Sequence, residues 1–331
     1  MRNLRHLLSS SRLIIREAGD RMRAEAKRPY DWKRLKSSVK RGKWLYLMAF
    51  PVILYFFVFS YLPMYGLVIA FQQYSPAKGI FGSDFIGLRN FQDFFGSFYF
   101  IRLLRNTVLI SLYDLLFSFP APIVLALLLN EVKQMKFKRV VQTVTYMPYF
   151  ISLVVVAGIL RDFCLPGGGL SAVVGVFTGQ QINLLGRPDY FRALFVGSGI
   201  WQGIGFGSII FLAAISAIDQ EMYEAAIIDG AGRLRQAWYI TLPCISSTIL
   251  ILLILRIGNL LNVGFEKIIL LYNPLTYETA DVISSFVYRK GLIESVFGYS
   301  TAVGLFNSVV NFVLLVIANQ MSRRFMNSSL W

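Results

Sequence analysis

One histidine and two cysteines in 331 residues leave almost no material for a metal centre, a disulfide framework or a nucleophile paired with a base. The histidine, His6, has no cysteine, aspartate or glutamate cluster around it, and no Ser-His-Asp, Cys-His or HExxH arrangement can be assembled. A glycine-rich GxxxxGK[ST] loop is also missing, which excludes ATP hydrolysis by this chain alone. Acidic residues are scarce: 18 Asp and Glu stand against 33 Lys and Arg. No metal or cofactor is expected to bind here. Cys164 and Cys244 fall near opposite ends of apolar runs, about 30 Å apart if those runs cross a bilayer, too far for a disulfide.

What the chain has in abundance is apolar surface. It is 56% hydrophobic and only 15% charged, with 28 Phe and 17 Tyr, more than a soluble domain of this size hides from water. The formal net charge of +15 is concentrated at one end, where the first 43 residues hold 14 Lys and Arg against 4 Asp and Glu. Charge confined to the flank of apolar runs reports membrane topology, and no nucleic-acid-binding module is legible. Within that tail Leu4, Leu7, Leu8, Leu13, Ile14 and Ala18 recur at near-helical spacing among arginines. Such a segment suits an anionic membrane surface or a partly disordered basic tail. More than forty residues precede the first long apolar run, so a cleaved signal peptide is not expected.

Six runs reach the roughly 20 residues a transmembrane helix needs. They cover residues 44–71, 103–129, 141–160, 193–216, 245–271 and 299–321. Counting Lys and Arg in the connections, with the N-terminus inside, places 22 on the inner side and 8 on the outer side. The reading is an all-α polytopic membrane protein with both termini cytoplasmic, in which residues 1–43 form a basic extension and 44–331 one domain. The outer connections 72–102 and 162–192 carry Gly, Pro and many aromatics, which suggests short interfacial helices or a docking surface.

The connection 217–243 is placed inside and has a distinct grammar. Asp219 and Glu221 suit the N-terminus of a helix beginning near Gln220, and Met222, Ala225 and Ala226 share a shallow face. Gly230 and Gly232 can end that helix. Leu234, Ala237 and Trp238 resume a helical pattern until Pro243 interrupts it. Glu224, Ala225, Ala226, Gly230, Ile240, Leu242 and Pro243 together resemble the EAA signature of permease subunits of binding-protein-dependent ABC importers. The stretches YMPYFISLVVVAGILRDF, GFEKIILLYNP and ADVISSFVYRKGL are similar to the sugar-type branch, in particular its oligosaccharide or polysaccharide members. The chain looks like the counterpart of the larger maltose-type permease, without that subunit's large insertion.

The resemblance implies a type I importer fold in a bacterial cell membrane and half of a translocation path for an oligosaccharide. It also implies a second homologous permease, making a heterodimer, two ATPase subunits that hold ATP and magnesium, and an extracellular solute-binding protein. The EAA loop would then be the coupling element, with Glu224, Ala225, Ala226, Asp229, Gly230, Arg233, Ile240, Leu242 and Pro243 as its residues. Arg233 and Arg235 are equally explained as ordinary inner-side charge.

Polar groups inside the spans are costly and need a partner or a wet path. Asn259, Asn262 and Glu266 follow i, i+3, i+7 spacing, a shared helical face that suits sugar hydroxyls beside Phe265 and Tyr272, or hydrogen bonds between helices. Trp201 and Gln202 are further candidates for the path. Gly199, Gly203 and Gly207 form a tandem GxxxG pattern, expected to serve close helix packing rather than a hinge. Asp114 is expected to pair with an arginine. The competing reading is an ion-coupled carrier acting without an ATPase, which usually shows two related halves.

Overall fold

The computed structural model describes residues 42–326, and the chain divides into two units between Tyr65 and Gly66. The basic extension, with its arginine-flanked leucines, lies outside the described residues apart from its last two positions. Among the described residues five helices are long and apolar enough to cross a membrane, and a bent pair raises the number to as many as six. The first is α1 (Lys43–Phe71).

In the second unit a two-residue strand pair, β1 (Gln72–Gln73) and β2 (Asp84–Phe85), is the departure from helix among the described residues. Its antiparallel register sets Gln72 opposite Phe85. Then come α2 (Tyr99–Glu131), α3 (Met135–Tyr146), α4 (Leu153–Thr178, interrupted at 165–168) and α5 (Pro188–Ser216). The loop helix α6 (Gln220–Ile228), α7 (Arg233–Cys244) and α8 (Ser246–Gly258) follow, then the short α9 (Phe265–Leu271) and α10 (Ile283–Tyr288) and the long α11 (Phe297–Met326). At 1.5 Å per residue, α5 is about 43 Å long, more than a hydrocarbon core of about 30 Å requires.

Proline decides where several helices change pitch. Three five-residue π-turns, Phe57–Tyr61, Asp114–Ser118 and Ala237–Thr241, each end two residues before a proline: Pro63, Pro120 and Pro243. Proline lacks an N–H and its ring crowds the carbonyl four residues earlier. Widening the preceding turn relieves both problems, because the residue before the proline donates one position further back, as Phe119 N does to the Asp114 carbonyl at 3.3 Å. Pro243 therefore does not interrupt the pattern where the sequence predicts. The chain stays helical to Cys244 and bends by 63° at Ile245.

Two of the expected spans are not continuous helices. Across 141–160, α3 ends at Tyr146, a 3-10 turn Met147–Phe150 contains Pro148, and Ile151 is extended before α4 begins. Across 245–271, α8 ends at Gly258 and α9 begins at Phe265, with an irregular segment between them. Hydropathy registers both stretches as unbroken because it weighs composition, whereas the break depends on where neighbouring side chains can satisfy the freed backbone.

α5 is the central element, packed on the second half of α2 and on α3, while α8 packs on α11. Three clusters of buried side chains hold the unit together. One gathers Ile110, Phe191, Ile268 and Val282; a second, Phe94, Leu103, Phe286 and Val303; a third, Ala126, Phe211, Ile215 and Ile245.

Candidate functional site

The loop between α5 and α8 is an exposed helix held at both ends. Asp219 caps α6, its side chain accepting from Glu221 N at 3.0 Å, a bond that satisfies one of the free N–H groups of the first turn. Gly230, at φ +75°, takes the left-handed turn that closes the helix. Gly232 plays no part in that turn; its φ is −68°, and it leads into α7 as the residue before Arg233. The Tyr223 hydroxyl meets Thr241 Oγ1 at 2.9 Å and ties α6 to α7, and Gln236 Nε2 donates to the Ala231 carbonyl at 2.7 Å.

The nine residues expected to couple fall into two groups. Glu224, Ala225, Asp229, Gly230, Arg233 and Pro243 are exposed, and Ala226 is half-buried. Glu224 makes no ion pair among the described residues, whereas Arg233 reaches Glu131 at the end of α2, 3.6 Å away. Ile240 and Leu242 point the other way, packing on the cluster of Ala126, Phe211 and Ile245. They seat the loop on α2 and α5 rather than presenting a contact surface. Around the exposed group, Ile227, Ile228, Leu234 and Trp238 are large apolar side chains left uncovered. Periodicity alone does not mark them as a contact surface.

α7 continues through the bend at Ile245 into α8, and α8 forms one wall of a cavity of about 720 Å³. α2, α5, the segment after α8 and the first turn of α9 provide the rest. Of the expected path residues, Gln202, Asn259 and Asn262 line it; Trp201 and Glu266 do not. Trp201 is one residue from Gln202, about 100° around the helix, and is 47% exposed elsewhere. Glu266 belongs to α9, a separate helix, so the i, i+3, i+7 face does not exist: Asn259 and Asn262 are in the irregular segment after α8. Phe265 and Tyr272 also lie off this wall, and the aromatic members of the lining are Phe119, Phe195 and Phe211.

That irregular segment is braced by side chains from three helices. Ser111 Oγ donates to the Leu260 carbonyl at 2.5 Å, Leu261 N donates to Asn311 Oδ1 at 3.0 Å, and Ser284 Oγ donates to the Val263 carbonyl at 3.3 Å. Asn262 Oδ1 accepts from Asn307 at 3.0 Å and Asn311 at 3.3 Å. Non-helical backbone at membrane depth survives where it is satisfied in this way or lines a wet space. Gln202 does the same for the other break, donating to the Ile151 carbonyl at 3.3 Å.

The glycine pattern also divides. Gly199, Gly203 and Gly207 all line the cavity. A Cβ at Gly203 would meet nothing within 4 Å, so the expected packing role fails there; at Gly207 it would come within 3.0 Å of Pro122, and at Gly199 within 3.3 Å of Lys267 Nζ. The close approach belongs to Gly205, where a Cβ would lie 2.1 Å from the Thr145 carbonyl oxygen as α3 crosses α5. Gly205 lies outside the four-residue spacing and so escapes the motif.

The charges missing partners in the sequence find them in the fold. Asp114 pairs with Arg256, and both line the cavity together with Lys267. Away from the cavity, the fully buried Asp281 accepts from both terminal nitrogens of Arg289, at 3.2 and 2.6 Å, and from Ser285 Oγ at 2.8 Å. Arg102 of α2 stands 3.8 Å from the same carboxylate. Burial by itself would lower the Arg289 pKa, but the hydrogen bonds and charge of Asp281 outweigh it and raise the pKa above the ordinary arginine value. Asn106 donates to the Glu278 and Asp281 carbonyls and accepts from Arg192, which joins α2, α5 and the segment before α10.

Residues 118–327 match the family described as binding-protein-dependent transport system inner membrane component. The chain is 49% identical to protein LplB of Bacillus subtilis (strain 168) over 290 residues, 87% of this chain and 91% of that one. It is 46% identical to the polygalacturonan/rhamnogalacturonan transport system permease protein YteP of the same organism, over 88% of this chain and 92% of that one. Among solved structures it resembles a chain of a bacterial alginate ABC transporter in complex with an alginate pentasaccharide-bound periplasmic protein. There the TM-score is 0.83 and the identity 44%, covering 90% of this chain and 100% of that chain.

Proposed function

The chain belongs to the family of binding-protein-dependent transport system inner membrane components and is a membrane permease subunit of an ABC importer; from this we propose how its parts work. Membership decides against the ion-coupled carrier. Relatives named for polygalacturonan, rhamnogalacturonan and alginate support an oligosaccharide of polysaccharide origin as the cargo here. The chain supplies half of the path, and a second homologous permease closes the cavity from the other side. An extracellular binding protein delivers the sugar, and two ATPase subunits bind ATP and magnesium and perform the hydrolysis. With both termini cytoplasmic, α6 faces those ATPases.

The observation that carries this reading is the physical continuity from loop to cavity. α6 presents exposed Glu224, Ala225 and Asp229 beside uncovered apolar side chains, a surface suited to a groove with basic groups at its rim. Tyr223 and Thr241 tie α6 to α7, Ile240 and Leu242 seat α7 on α2 and α5, and α7 runs into α8, which carries Arg256 into the cavity wall. Rigid displacement of α6 by closing ATPases would therefore move a wall of the path. The test is co-purification with the partner permease and ATPases, then oligosaccharide-stimulated ATP hydrolysis in liposomes with the binding protein. Glu224→Arg is expected to lower stimulated hydrolysis and uptake at least about tenfold. Normal assembly with full-rate uptake by that variant would sink the coupling role.

A further inference from the structure

A path for neutral sugars needs neutral donors and acceptors, and a fixed cation at membrane depth is costly unless a counter-charge answers it. Gln202, Asn259 and Asn262, with Ser111 and Ser118, are the neutral polar side chains of the cavity wall. Lys267 is the exception. It is only 8% exposed, yet it lines the cavity. Its ammonium donates to the Phe195 carbonyl at 2.7 Å and lies 4.7 Å from the Phe195 ring, with no carboxylate in ion-pair range among the described residues. An ammonium has three donors, and the carbonyl takes one. Gly199 faces Lys267 Nζ across the gap where a Cβ would be 3.3 Å away, so the absence of a side chain there leaves the charge approachable.

A second cation stands in the same wall. Arg256, its side chain 51% exposed, is held by Asp114, 23% exposed. The lining thus has two cations and one carboxylate. A partly solvated pair of this kind exchanges one carboxylate for another at small cost, which suits a path that must release what it binds.

We infer that the cavity selects oligosaccharides bearing carboxylates, uronate-type sugars, with Lys267 pairing with one substrate carboxylate and Arg256 trading Asp114 for another. This rests on the import reading above and adds the charge class of the cargo and the residues that recognise it.

The test uses the complete importer in liposomes, supplied with oligosaccharides from a uronan digest, the same digest after methyl esterification, and digests of neutral polysaccharides. The readout is the ratio of acidic to esterified uptake. Since one binding protein delivers both, its own preference cancels when variants are compared with the parent. Lys267→Gln is expected to lower the ratio about tenfold and Lys267→Arg to restore most of it; Arg256→Gln lowers it too, and Asp114→Asn raises it. If Lys267 were only a tether between α9 and α5, Lys267→Gln would depress both sugars equally. An unchanged ratio in Lys267→Gln and Arg256→Gln overturns the inference, and should Lys267→Gln fail to assemble, Arg256→Gln decides by itself. Uptake of neutral digests alone overturns the inference and leaves sugar import standing. Uptake of none overturns both.

Discussion

At the scale of single residues, the glycines of α5 show how little a motif says about which side chain is needed. Gly203 belongs to the four-residue pattern and faces open space, while Gly205 does not belong to it and touches the α3 backbone. Between helices surrounded by lipid there is no hydrophobic drive to association, so close van der Waals approach decides the interface. Gly205→Ala is expected to cost about 1–3 kcal/mol, because a Cβ 2.1 Å from a backbone oxygen forces α3 and α5 apart. Gly203→Ala should be neutral or stabilising by up to about 1 kcal/mol, from helix propensity alone. Thermal unfolding of the two variants in detergent separates them. Equal stability would show that α3 is not packed on α5 through Gly205. The ordering could not be read from the chain, since both glycines have equivalent sequence surroundings and only the crossing of α3 distinguishes them.

At the scale of elements, α6 was legible almost to the residue, because its start and stop depend on local chemistry. An Asp cap and a left-handed glycine act within one turn, and both are visible in sequence. Asp219→Ala removes the only side-chain cap on a nine-residue helix, and about 1 kcal/mol of local stability is expected to go with it. Hydrogen exchange at the Glu221 amide should quicken several-fold while the α5 core is unaffected; unchanged protection would rule the cap out as the anchor. The two broken spans were not legible. In 141–160 the signal, Pro148, was present, but proline is tolerated in other helices of this chain after a π-turn. In 245–271 the break depends on Ser111, Ser284 and Asn311, side chains from helices distant in sequence.

At the scale of the whole molecule, the distribution of charge predicts the sidedness of the loop and the cavity. The charge bias predicts that residues 217–243 face the cytoplasm and 72–102 the outside. Single cysteines at two exposed positions, Arg235→Cys and Lys78→Cys, in a chain with Cys244 replaced by serine, test it with a membrane-impermeant maleimide. Intact right-side-out cells should label position 78 and not 235, and inverted vesicles the reverse. Labelling of both from one side would refute the topology and with it the coupling role of α6.

Composition, hydropathy and the spacing of the EAA segment were enough to establish a helical membrane permease and to locate the helix proposed to couple it to the ATPases. Those properties are local or summed over a stretch, and a bilayer imposes them on any chain that crosses it. Tertiary structure alone decided that Asp114 pairs with Arg256, that Asn259 and Asn262 reach the cavity without Glu266, and that Lys267 lies beside Gly199 with no carboxylate in ion-pair range among the described residues. Each of those facts depends on where one helix stops and which remote helix passes it. The energies that decide this, a satisfied carbonyl or a compensated charge, belong to pairs of residues far apart in the chain.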